Sequence, residues 1–396
     1  MIVKQYVQML GKKSAIRELF DYGAQRAKEI GYENVFDYSL GNPSVPVPKA
    51  FNQALADLAL SGNDLAVHGY SPSLGIPSVR EAIAASLKKR FDLPYTAKHI
   101  FMTTGAAGAL AHAVRAIAEP GSEVITFAPY FPEYGPYVSG AGCTLKVVPA
   151  QTSDFQINFE EFAKMLTPNT AAILINTPNN PSGVVYSQET LVRLADLLET
   201  RQREYGHPIY LISDEPYREI VFDGNTCPYA ARYYDNTITC YSFSKSLSLP
   251  GERIGYVAVQ PACRDGEMII DMCGQISRGI GHNCPPSIIQ LAVAQVLDET
   301  SDLSVYETNK NILYKALTEM GFSCVEPGGT FYMFPEAPGG DAEAFSRKAK
   351  EFDLLLVPGT SFGCPGHFRI SYCIDTEKVE RSLEAFRKLA AYYFGK

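Results

Sequence analysis

An amide, a carboxylate and an amine stand at three successive points where an apolar run of the chain stops. Asn180 follows the run 171–176, inside Asn176-Thr177-Pro178-Asn179-Asn180-Pro181-Ser182-Gly183. Asp214 ends the run 208–213, and Tyr217 lies three residues on. Lys245 follows the run 237–241 in Ser242-Phe243-Ser244-Lys245, with Arg253 eight residues beyond it. Asn180 and Asp214 are 34 residues apart, and Asp214 and Lys245 are 31 apart. Each step is about the length of one strand–helix–strand crossover. Adjacent strand ends would therefore place the three groups in one cleft. Such a cleft suits a cofactor held as a Schiff base by the amine and oriented by the acid at a ring nitrogen.

The elements that must hold these residues follow from the pattern of the chain. The runs 123–128, 145–148, 171–176, 208–213, 237–241 and 254–259 read as strands, and 188–205 reads as an amphipathic helix. Strands separated by helices predict an α/β fold with a mostly parallel sheet covered on both faces. Ligands in such sheets sit at the carboxyl ends of the strands. After about residue 297 the texture changes. A helix near 305–320, short strands near 331–334, 354–357 and 368–372, and a last helix at 376–393 predict a smaller α+β domain. The segment 36–40 joins it, which leaves the large domain inserted between two halves of the small one. The expected division is an N-terminal arm and first part of the small domain at 1–48, a large domain at 49–297 and a C-terminal small domain at 298–396.

Composition narrows the function classes. The chain has 396 residues, 46% of them hydrophobic, enough for two domains with buried cores. Its net charge is −8, from 35 basic and 43 acidic side chains, and no basic block stands out. Nucleic acid and anionic membranes are poor partners for such a surface. Residues 1–20 mix charged and apolar positions and lack the apolar core of a signal peptide. No run is long enough to span a bilayer. The nine cysteines are irregularly spaced with no CxxC pair, so neither a disulfide framework nor a zinc site is expected. Buried thiols in a reducing cytoplasm are the simple reading.

Taken together, three motifs carry a resemblance. They are Ser242-x-Ser244-Lys245 with Arg253-Ile254-Gly255-Tyr256 behind it, Asn176 to Gly183, and Asp214-Glu215-Pro216-Tyr217. In order and spacing they resemble the fold-type-I enzymes that use pyridoxal 5′-phosphate (PLP), specifically the class I/II aminotransferases, from about residue 36 to 374. The resemblance implies the PLP-dependent transferase fold, and it implies residue roles. Lys245 would hold the cofactor as an aldimine and then serve as the acid and base at the substrate Cα. Asp214 would pair with the pyridine nitrogen, and Tyr217 and Asn180 would bond the phenolic oxygen. Gly105, Ala106 and Ala107, with Ser242, Ser244 and Arg253, would hold the phosphate; many relatives carry a hydroxyl in that triplet, and this chain does not. Phe131 matches the aromatic stacked on the ring, where relatives often have Trp and this chain has none, with Tyr130 beside it as the alternative. Tyr70 matches a tyrosine that reaches the phosphate of a neighbouring subunit, which implies a homodimer with shared sites. Arg369 matches the arginine for the substrate α-carboxylate, with Gly41 at the same end. Arg278 lies near where one branch places an arginine for a second carboxylate, but its register does not match cleanly.

The activity implied is transfer of an amino group from an L-amino acid to a 2-oxo acid by ping-pong kinetics. A PLP-dependent carbon–sulfur β-lyase has the same machinery and is the alternative, because a shared fold does not fix the outcome. A nicotinamide dehydrogenase needs GxGxxG after an early strand, and Gly105-Ala106-Ala107-Gly108 does not supply it. A regulator built on this fold needs an added DNA-binding domain, for which there is no room. No metal is expected.

Overall fold

The computed structural model describes Ile2, Val7, Leu10 and residues 15–395; most of the predicted start of the N-terminal arm lies outside the described residues. The chain divides into two compact units. One comprises Val45–Asn180 and Val184–Leu303; the other comprises Pro181–Gly183 and the described residues before Val45 and from Ser304 on.

The larger unit is built on seven strands: β1 (Ile100–Thr103), β2 (Glu123–Phe127), β3 (Thr144–Val148), β4 (Thr170–Asn176), β5 (Tyr210–Asp214), β6 (Thr237–Ser242) and β7 (Gly255–Val259). Their order across the sheet is β1-β7-β6-β5-β4-β2-β3. Only β7 runs against its neighbours. The central strands β4, β5 and β6 are buried at every position but Ala171 because both faces are covered. On one face Ala172, Leu174 and Ile212 pack against Leu110 and Ala113 of the helix α1 (Gly105–Ile117). On the other, Ile173, Ile175 and Leu211 pack against Leu191, Leu194 and Leu198 of the helix Gln188–Tyr205. That helix begins where the Ser187 hydroxyl accepts the Thr190 N–H at 3.0 Å and stops at Gly206, whose φ of 76° ends it without strain.

The smaller unit gathers three pieces of chain. Phe36–Asp37 pairs in parallel with Leu354–Leu355. Val357–Pro358, Phe368–Ser371 and Tyr332–Met333 form an antiparallel sheet in that order. The run 354–357, expected as one strand, is thus two: each half satisfies its backbone against a different partner while all four residues stay buried. The helix Ser304–Met320 packs on Thr376–Phe394. Among the described residues no helix is long and apolar enough to cross a membrane. None of the nine cysteines is in a disulfide.

Candidate active site

β4, β5 and β6 end side by side, with Asn176 opposite Asp214 and Asp214 opposite Cys240. Asp214 is buried. Its Oδ2 accepts a hydrogen bond from the Tyr134 hydroxyl at 2.7 Å, while Oδ1 is buried with no hydrogen-bond partner. Burial lifts the carboxyl from 3.8 to about 7, with Tyr134 pulling the other way and the Glu215 charge adding to the rise. An orphaned carboxylate oxygen in an apolar setting is costly unless a donor or cation reaches it. A protonated ring nitrogen is such a group, so the residue fits a pyridine-ring cofactor.

One buried amide ties this strand to the next loop. Asn176 Nδ2 donates to the Asp214 carbonyl at 2.8 Å, and its Oδ1 accepts the Asn180 N–H at 2.7 Å. Behind Asp214 and Tyr217, the segment rests on a second network. Arg218 donates to Glu215 Oε2 at 3.1 Å and to the Tyr256 hydroxyl at 3.0 Å, and lies 4.4 Å over the Tyr241 ring. The Ser213 hydroxyl donates to the other Glu215 oxygen at 2.7 Å. A buried pair satisfied on this many sides fixes the backbone between Asp214 and Tyr217.

The same end of the sheet collects anion-binding groups. Thr103 and Ser242 both stand opposite Gly255. A Cβ at Gly255 would overlap the Tyr241 carbonyl and lie 2.9 Å from the Gly105 Cα, so only glycine lets these segments meet. Gly105 itself has φ +79°, and a Cβ there would press on Arg253 Nη2 at 3.0 Å. Arg253 also adopts a left-handed φ of 51°, uncommon for a side chain of this kind. It donates to the Pro250 carbonyl at 2.8 Å and the Thr104 carbonyl at 3.2 Å. Thr104 precedes α1 without capping it; its hydroxyl pairs with His282 Nε2 instead. The first amides of α1, from Gly105, Ala106 and Ala107, therefore open the helix with no side-chain cap, which favours an anion. Ser242 Oγ accepts the Ser244 N–H at 3.2 Å and donates to Ser244 Oγ at 2.7 Å. Lys245 sits half-buried in the single turn Phe243–Ser246 directly after β6.

Phe131 and Tyr130 lie half-buried beyond β2, on the approach to the short helix α2 (Tyr134–Ser139). Tyr70 is exposed, as is Arg278 at the end of the helix Gly266–Ile280. Gly41 and Arg369 belong to the smaller unit. There a Cβ on Gly41 would overlap the Tyr332 hydroxyl. The buried Arg369 guanidinium donates to the Ser39 carbonyl at 2.5 Å and lies 4.7 Å over the Tyr332 ring and 5.0 Å over that of Phe362. Three contributors were not singled out from the sequence: Tyr134, Asn176 and Arg218. Asn176 carried a usable signal, since it closes an apolar strand just as Asp214 does.

Comparison with known proteins identifies the family. The sequence model described as aminotransferase class I and II matches residues 33–386. Aromatic-amino-acid aminotransferase 2 of Thermococcus litoralis is 31% identical over 95% of both chains, and the aspartate aminotransferase of Pyrococcus abyssi is 32% identical over 95% of both. The crystal structure of an aminotransferase from Eubacterium rectale superposes with a TM-score of 0.97 at 45% identity, covering 100% of both chains. These relatives are transferases by name, which leaves the β-lyase alternative without support. The chain belongs to the class I and II aminotransferase family.

Proposed function

We propose that this aminotransferase works with pyridoxal 5′-phosphate bound through Lys245 and exchanges an amino group between an α-amino acid and a 2-oxo acid. The observation that carries the reading is the buried, unpartnered Oδ1 of Asp214 at the strand ends that also present Asn180 and Lys245. Bound PLP supplies an electron-accepting ring conjugated to the substrate nitrogen. The protein supplies the rest. Asp214 Oδ1 keeps the proton on the ring nitrogen. Asn180 and Tyr217 would donate to the phenolic oxygen, and Phe131 would cover the ring. The amides of Gly105, Ala106 and Ala107, with Ser242, Ser244 and Arg253, hold the phosphate; Arg253 brings the fixed charge. Lys245 Nζ takes the proton from Cα of the donor and returns one to the corresponding carbon of the acceptor. Arg369 and the Gly41 backbone take the α-carboxylate.

The relatives named for aspartate and for aromatic amino acids share an α-carboxylate in their donors, and Arg369 is assigned to that shared group. Its planar fork can bind both carboxylate oxygens, which a lysine cannot do in the same geometry. Screening acidic, aromatic and small donors against 2-oxoglutarate and pyruvate is expected to give parallel double-reciprocal lines, with Arg369→Lys lowering kcat/KM for every donor by about 5- to 150-fold. Arg278→Ala should spare neutral donors. Acceptor-independent release of ammonia from a cysteine derivative would overturn amino transfer, and a donor-selective loss in Arg369→Lys would misplace the carboxylate site.

The exposed Tyr70, together with exposed Leu60 and Leu65 nearby in the chain, supports a homodimer in which Tyr70 reaches the partner's phosphate site. Inactive Lys245→Ala subunits mixed with inactive Tyr70→Phe subunits are expected to regain part of the activity. A mixed dimer then holds one doubly defective site and one intact one. No recovery under proven subunit exchange would reject the crossing. The nine unbridged thiols fit a reducing, cytoplasmic setting.

A further inference from the structure

A carboxylate has two oxygens, and at Asp214 they are treated differently. Oδ2 receives the Tyr134 hydroxyl at 2.7 Å, from a helix 80 residues earlier in the chain, whereas Oδ1 is buried and unpartnered. Tyr134 is itself buried, so neither end of this bond exchanges with water. Its ring also meets Phe131 edge-on, with centroids 5.8 Å apart and planes at 82°, and its N–H donates to the Phe131 carbonyl at 3.1 Å. One side chain thus touches both the acid beneath the proposed ring nitrogen and the aromatic proposed to cover the ring.

We propose that Tyr134 is a positioning residue: its hydroxyl pins Oδ2 of Asp214, leaves Oδ1 as the only acceptor for the cofactor's ring nitrogen, and locks that acid to the Phe131 loop. This rests on the PLP reading above and adds to it the residue that sets the acid's direction and strength. A phenol has one proton to donate, and spending it on Oδ2 stabilises the ionised carboxylate over the neutral acid. The other titratable groups around Asp214 work against ionisation or are neutral. Glu215 follows it in the chain and raises its pKa, Cys240 stands opposite on β6, and Tyr137 and Tyr217 lie on α2 and on Asp214's own segment. Glu215 is in turn held by Arg218, and Lys245 stands just past the end of β6. Tyr134 is the group among these that donates to the carboxylate.

Tyr134→Phe keeps the ring and removes only the hydroxyl. The first readout is thermal stability of the cofactor-free full chain against pH, whose difference from the Asp214→Asn profile isolates the Asp214 titration. The inflection is expected to move up by about one to two pH units in Tyr134→Phe, the worth of one hydrogen bond to a charged group. In an Asp214→Asn background the same change should leave the pH profile unmoved. The second readout is PLP affinity from absorbance: about tenfold weaker for Tyr134→Phe alone, and no weaker than the parent in the Asp214→Asn background. If the phenylalanine chain does not fold, 3-fluorotyrosine at position 134 keeps the shape and strengthens the donor, and the inflection should then move down. A uniform loss of stability with an unmoved inflection would overturn the proposal. If instead Asp214→Asn binds PLP as tightly as the parent, the pyridine-nitrogen reading itself fails, whatever Tyr134 does.

Discussion

Lys245→Ala is expected to lower turnover by at least about 10⁴-fold, the upper end of what one proton-transferring group contributes. That corresponds to about 5.5 kcal/mol of lost transition-state stabilisation. Two functions disappear together, because the same Nζ both anchors the cofactor covalently and carries the Cα proton. No neighbour can substitute: the turn Phe243–Ser246 offers only hydroxyls beside it. The direct measurement is borohydride reduction of the purified enzyme followed by peptide mapping. The label should lie on Lys245, and the alanine variant should take none. A label on any other lysine would reject the assignment, whatever the rates show.

Asp214→Asn should act in two opposite directions. With cofactor bound, turnover falls by on the order of 10²–10³-fold, as for loss of one preorganised electrostatic group, because the amide cannot hold the ring nitrogen protonated. Without cofactor, the same substitution should make the protein more stable at pH 8. The folded-state carboxyl sits at about 7 against an ordinary 3.8, so between those values the folded chain binds a proton that the unfolded chain has released. That stabilisation is complete below pH 4 and is lost as the pH rises towards 7, at a cost of about 4 kcal/mol. Asparagine has no such titration, although its buried amide loses about 1–3 kcal/mol for an unmade bond. The melting curves of the two cofactor-free proteins should therefore cross: wild type ahead at pH 5, variant ahead at pH 8. Curves that stay parallel across that range would sink the idea of a raised carboxyl. Added PLP should stabilise wild type far more than the variant.

The strands carrying these residues could be read from the sequence because burial on both faces leaves their middles apolar, as at 171–175 and 209–212. Their ends were legible because a polar side chain abruptly follows. The direction of β7 was not. Its run looks the same either way, and the reversal comes from the link 243–254, which holds a single helical turn and brings the chain back beside β6. Asn176 is marked in the sequence only as the polar end of its strand; its partner and that of Tyr134 lie 38 and 80 residues away, and local spacing names neither. Arg253 was expected from its motif as a charge for the phosphate, but its left-handed backbone, beside the closely approaching Gly105, has no sequence mark.

The three-piece make-up of the smaller unit sets a timetable for its synthesis. Phe36–Asp37 leaves the ribosome early, yet among the described residues its strand partner is Leu354–Leu355. At ordinary elongation rates that strand waits roughly 15–60 s for its mate. Until then it presents an unpaired edge on a nascent chain whose larger unit is already being completed. The newborn chain should consequently be at its most aggregation-prone after the larger unit has emerged and before the last helix has, and most dependent then on whatever holdase the cell provides.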